Sequence, residues 1–193
     1  MTRKLLIGES IATTDLDKVI KSLRVTVQWT LLADLKNPPE ADVFCFLLDK
    51  NGQAPDNADF LFYNQLDGLD NAAHVVLDDN IPPAQGGKQS IVLALDAIRY
   101  TIVQAQIGLS LYRAGERDQS FRYVDNVTVQ LINEGTGDLL AEHVIDGKAY
   151  KDAVCLTLIR FDRDGQWSLT AAADGHTTFD DLARQHGIVV AGG

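Results

Sequence analysis

Arg24-Val25-Thr26-Val27-Gln28-Trp29-Thr30-Leu31 alternates without a break: Val25, Val27, Trp29 and Leu31 fall on one side and polar groups on the other. Successive side chains of an extended chain point to opposite faces, so this segment reads as a strand with one face buried and one in water. The same two-residue period returns at residues 103–111, 127–131 and 154–158. Each of these segments can bury one face of a sheet.

Working outward, residues 43–48 are continuously apolar and end at Asp49-Lys50-Asn51-Gly52, where Asn-Gly signals a tight turn. A strand buried on both faces fits that run. Residues 60–63, 91–95 and 167–171 are further strand candidates, and Asn133-Glu134-Gly135-Thr136-Gly137 reads as a hairpin connection between Leu131 and Leu139. Helical pattern is scarce. Thr178 precedes Phe179, Leu182 and Ala183, with Asp181 at capping-box spacing and Gly187 placed to end the segment. Leu16, Val19, Ile20 and Leu23 have helical spacing after Thr14, but equally suit a loop leading into the strand at 24–31. Many short strands separated by turn residues predict an all-β protein, an antiparallel two-sheet β-sandwich with one or two short helices, as a single domain over residues 1–193.

The chain carries 17 basic and 27 acidic residues, a formal charge of −10, which argues against a binder of nucleic acid or of anionic membrane. The apolar run near the start, Leu5-Leu6-Ile7, is too short for a signal peptide or a membrane span, so a cytoplasmic protein is expected. Cys45 and Cys155 each lie inside an apolar run, where buried, unpaired thiols belong. Gly86-Gly87-Lys88 lacks the upstream glycine of a phosphate loop. His74, His143, His176 and His186 are scattered without metal-ligand spacing and are expected at surface or turn positions. Paired carboxylates such as Asp78-Asp79 and Asp180-Asp181 are weak evidence for acid–base chemistry in so acidic a chain.

Three elements carry a family resemblance: Ala58-Asp59-Phe60-Leu61-Phe62-Tyr63-Asn64-Gln65, then Asp78-Asp79-Asn80, then Ala114, Arg117, Gln119 and Phe121 with Val124 following. Thr136-Gly137, Gly165-Gln166-Trp167 and His186-Gly187-Ile188 continue the pattern. From about residue 25 to 188 the chain resembles the TerD family of tellurium-resistance and stress-response proteins. The resemblance implies a β-sandwich without enzymatic activity that binds calcium through acidic loops. It also implies a stress-response binding or scaffold role, with other proteins as partners, related TerD-type chains among them.

Calcium takes about six to eight oxygen ligands, so several acidic loops must converge. Relative to the family pattern, the last acidic run is replaced by Ile81-Pro82-Pro83-Ala84-Gln85-Gly86-Gly87-Lys88-Gln89-Ser90, which has no carboxylate and brings in Lys88. The resemblance therefore implies the loss of one calcium position and a weaker site built from Glu40, Asp42, Asn64, Asp70, Asp79 and Asn80. Asp and Asn at strand ends also close turns without any metal, and both roles stand open for these six. Arg117 is expected in a structural corner with Asp118 or Asp125, and Phe121 and Trp167 in the core. The alternative from another class is a hydrolase acting on a small ligand or glycan in a cleft, which requires a deep pocket with converging groups of shifted pKa.

Overall fold

The computed structural model describes residues 2–189, and the alternating segments pair there into two six-stranded sheets packed face to face. Across the first sheet run β1 (Arg3–Lys4), β10 (Leu139–Asp146), β9 (Val124–Asn133), β3 (Ser22–Leu31), β7 (Gly86–Ala94) and β6 (Ala73–Asp78). Across the second run β2 (Ser10–Ala12), β12 (Gln166–His176), β11 (Cys155–Asp164), β8 (Gln104–Leu111), β4 (Ala41–Leu48) and β5 (Phe60–Leu61). Pairing is antiparallel except between β1 and β10. Two short helices, α1 (Thr13–Leu16) and α2 (Phe179–Gln185), complete the expected all-β sandwich.

The alternation in β3 does what its pattern requires: Val25, Val27 and Trp29 are buried inward, while Arg24, Gln28 and Thr30 stay in the outer face. Each such aliphatic or aromatic side chain removed from water stabilises the fold by about 1.5–3 kcal/mol. The Trp29 indole lies across Gly87, its register partner on β7, where any Cβ would collide with the ring. Trp167, also buried, donates its indole N–H to the Leu95 carbonyl at 3.1 Å and carries the Arg163 guanidinium 4.2 Å from its ring centre. Phe121 is fully buried, as expected.

The run at 43–48 resolves into two faces. Val43, Cys45 and Leu47 enter the core between the sheets, while Phe44, Phe46 and Leu48 join a second cluster on the outer face with Phe60, Leu182, Ala183 and Ile188. Both faces of β4 are buried because α2 lies over the outer one. Cys45 and Cys155 are free and buried, and burial pushes both thiols up from their ordinary pKa.

Both long sides of the sandwich are closed by the chain itself. On one, residues 3–12 pair first with β10 and then with β12, and Ala171 exchanges backbone hydrogen bonds with Gly8 and Glu9 between the two pairings. On the other, residues 66–68 descend from β5 to β6, and Val75 N–H donates to Leu66 while Gly68 N–H donates to Ala73. Unpaired strand edges are thereby kept short, which limits edge-to-edge association.

The structure fills in two segments and corrects two expectations. β6 forms in a segment that the sequence pattern left unassigned, although Val75-Val76-Leu77 is a β-forming run. The region that suited either helix or loop is both: α1 makes one turn, and a loop with Val19 exposed leads into β3 at Ser22. Arg117 pairs with Glu40 at 2.8 Å, whereas Asp118 pairs with Arg122 and Asp125 with Lys148. His143 is not a surface residue: it faces inward from β10 at 3% exposure, and neither ring nitrogen has a hydrogen-bond partner. No helix among the described residues is long and apolar enough to cross a membrane.

Candidate functional site

The outward phenylalanines of β4 begin a wall of aromatic rings that runs to solvent. Phe46 stacks on Phe60 with ring centres 4.9 Å apart, Phe60 on Phe62 at 4.7 Å, and Phe62 meets Tyr63 edge-on at 5.4 Å. Tyr63 meets Tyr112, just beyond β8, edge-on at 6.0 Å. The turn bearing Phe62 and Tyr63 is held by the Gln65 side-chain amide, which donates to the Phe60 and Asn57 carbonyls at 2.7 and 3.0 Å. Gly108, opposite Phe44 on β8, has no room for a Cβ, which would strike the Phe44 ring and the Leu156 carbonyl.

The second wall is α2. Thr178 caps it, its hydroxyl accepting the Asp181 N–H at 3.2 Å and donating to the Asp181 carboxylate at 2.6 Å. Gly187, at φ +74°, turns the chain out of the helix in the left-handed region that suits glycine. The segment is tied to the turn after β4: Ala54 N–H donates to the His186 carbonyl, Gln53 Nε2 donates to the Gln185 carbonyl at 2.8 Å, and His186 Nδ1 lies 2.8 Å from Gly52 O. Phe179 is thereby set edge-on against Phe44 at 5.2 Å.

Between these walls opens a cleft of about 800 Å³, lined by Phe44, Phe60, Phe62, Tyr63, Tyr112 and Phe179. Its polar lining includes Asp42, Asn64, Asp180 and an Arg113–Glu116 ion pair at 3.1 Å. Asp42 is half-buried on the outer face of β4, beside Phe44. Gln89, reaching across from the first sheet, donates its amide to Asp42 at 2.9 Å and accepts the Val43 N–H at 2.8 Å. This side chain caps the edge of β4 where the two-residue β5 has ended. Burial raises the Asp42 pKa; the Gln89 hydrogen bond opposes that shift and the Glu40 charge adds to it.

The six residues expected around calcium are divided. Asp42 and Asn64 line the cleft, and Glu40 lies next to it in ion pair with Arg117. Asp79 and Asn80 stand on the turn after β6, and the Asn80 backbone and side-chain amides both donate to Asp78, at 3.1 and 2.6 Å. Asp78 is in turn paired with Lys88 at 2.8 Å. Asp70 lies in the loop before β6, so the length of that strand, roughly 17 Å at 3.3–3.4 Å per residue, separates it from Asp79. It sits at φ +66° with its carboxylate 3.9 Å from Arg99, whose guanidinium also pairs with the fully buried Asp59.

As placed, these residues do not fit a single calcium cage. The carboxylates of Glu40 and Asp78 face protein cations, Asp42 faces an amide N–H, and among the described residues no three His, Cys, Asp or Glu side chains converge. The aromatic wall, in contrast, was not singled out from the sequence as a site. Its signal lay in the continuous run at 43–48, because a strand that is apolar on both faces needs a second cover, and Phe179 with Leu182 was the segment available to supply it.

A TerD-domain model matches residues 1–186. The chain is 26% identical over 178 residues to general stress protein 16U of Bacillus subtilis (strain 168), covering 91% of this chain and 92% of that one. To the tellurium resistance protein TerD of Serratia marcescens it is 24% identical over 170 residues, 88% of each chain. The crystal structure of a telluride resistance protein (TerD) homologue, SCO6318 of Streptomyces coelicolor A3(2), superimposes with a TM-score of 0.64 at 17% identity, over 85% of this chain and 95% of that one.

Proposed function

The chain belongs to the TerD family, and from that membership we propose that it serves a cytoplasmic stress response as a binding protein, not an enzyme, by holding a ligand in the aromatic cleft beside α2. Relatives named for general stress and for tellurium resistance support the stress-response part of this reading. The observation that carries the binding part is the cleft itself. At about 800 Å³ it falls in the range of small-molecule sites, with aromatic walls and a few polar groups at fixed places.

The hydrolase alternative fares less well on the same geometry. Among the described residues the cleft lining has no histidine and no cysteine, so the Ser110, Thr177 and Thr178 hydroxyls meet no imidazole base there. Asp42, whose pKa burial raises, takes its hydrogen bond from an amide and not from a nucleophile. For calcium, the spread of Glu40, Asp42, Asn64, Asp70, Asp79 and Asn80 over the cleft, the turn after β6 and the loop before it argues against one shared site. Other proteins, related TerD-type chains included, are proposed as downstream partners.

The test is a strain lacking the gene, challenged with tellurite and with peroxide and complemented by either wild type or Asn64→Trp. Asn64 is an exposed turn residue on the cleft lining, so a Trp there fills the cleft without entering the core. Survival restored by wild type and not by the variant is expected. Equal rescue by both would refute the cleft as the working site.

A further inference from the structure

The cleft's charge distribution selects among ligands. Of its lining groups, Glu116 is neutralised by Arg113, the one cationic side chain in the lining among the described residues. Asp42 and Asp180 pair with no lysine, arginine or histidine among the described residues. Asp42 is also the most enclosed of the three carboxylates, and its one hydrogen-bond donor is a neutral amide. An anionic ligand would meet unpaired negative charge, and a neutral one would further desolvate Asp42 without compensating it, which is costly for a carboxylate.

A positively charged ligand removes that cost, and the remaining walls suit it. Aromatic faces attract cations within about 6 Å of the ring centre. The Tyr112 ring already does so within the protein, with the Arg113 and Arg117 guanidinium carbons 5.9 and 5.4 Å from its centre. The rings of Phe62 and Tyr63 line the same cleft and carry no cation from the described residues.

We propose that the cleft binds a small organic cation, an ammonium carried on an aromatic or branched apolar body, with the ammonium against Asp42 and the body between Phe62, Tyr63 and Phe179. This assignment rests on the reading of the cleft as a ligand site. Asp180, at the start of α2, adds negative potential at the rim. Gln89 keeps one Asp42 oxygen engaged and so fixes the direction of the other.

Three probes of similar size separate the possibilities: phenethylammonium, 2-phenylethanol and phenylacetate, each titrated into the full chain and followed by amide chemical-shift changes at residues 42–44, 62–65 and 112–116. The expected result is binding of the ammonium at least about tenfold tighter than of the alcohol, with no binding of phenylacetate. In Asp42→Asn, which keeps the oxygen that accepts from Gln89, that preference should vanish while the alcohol's affinity is retained. Equal affinity of ammonium and alcohol in wild type, or a preference surviving in Asp42→Asn, overturns the cation assignment and leaves the ligand site standing. If none of the three shifts these amides, the ligand-site reading falls and takes the cation assignment with it.

Discussion

Acidification should destabilise the sandwich through His143. Burial lowers its pKa from 6.5 to about 4; the nearby Leu158 carbonyl favours the protonated ring but does not offset the loss of water, and neither nitrogen reaches hydrogen-bond geometry. In the unfolded chain the ring titrates near its ordinary value, so between about pH 6.5 and pH 4 the unfolded state holds the proton and the folded state does not. Stability contributed by the neutral ring is complete above pH 6.5 and is lost progressively as pH falls through that window. The full difference is roughly 3 kcal/mol at 1.36 kcal/mol per pKa unit, of which about 2 kcal/mol should disappear between pH 7 and pH 5. Urea unfolding followed by the fluorescence of the buried Trp29 and Trp167 reads this directly, with His143→Leu as the comparison. Other carboxylates and histidines titrate in both proteins, so the informative quantity is the difference between the two pH profiles. The variant should lose about 2 kcal/mol less than wild type over that range and be at least as stable at pH 7, since leucine removes two unpartnered nitrogens from an apolar site. Superimposable profiles would refute the reasoning.

Calcium added to chelator-treated protein should leave the melting temperature unchanged at millimolar concentration; a rise that disappears in Asp42→Ala, Asp79→Ala would show that the loops rearrange into a cage. Gly108→Ala should shift the urea midpoint by the equivalent of about 1–3 kcal/mol, because the new methyl meets the Leu156 backbone on one side and the Phe44 ring on the other; a wild-type midpoint would mean that this part of the aromatic wall is loose. Glu40 and Arg117 are 59% and 29% exposed, and a double-mutant cycle should give a coupling of about 1 kcal/mol or less; a larger value would mark the pair as part of a rigid network.

What the sequence made legible was whatever is local. The two-residue period of residues 24–31, the hairpin at 133–137 and the cap, apolar stripe and terminating glycine of 178–187 each depend on neighbours within a few positions, and each is found in place. β1 and β2 are too short for any period to show and exist because β10 and β12 offer edges. Arg117 was expected to pair with an acid nearby in sequence, yet its partner is Glu40, brought in by the start of β4. His143 alternates correctly with Ala141 and Ile145, and that alternation should have placed it inward in spite of its polarity. The six acidic and amide residues could be read as one set only while their strands were unassigned. Once β6 forms, it holds Asp70 and Asp79 at opposite ends.

The strap made by residues 3–12 joins the two sheets through partners that lie near 140 and near 170 in sequence. During synthesis residues 3–12 leave the ribosome well before either partner exists, and loop closures of that length are slow to form. Leu5 and Ile11, buried in the finished protein, therefore stay in water until the segments near 140 and near 170 have emerged. A closure between the sheets is thus left to a segment made long before its partners, and lengthening the strap would slow that closure before it altered anything in the finished cleft.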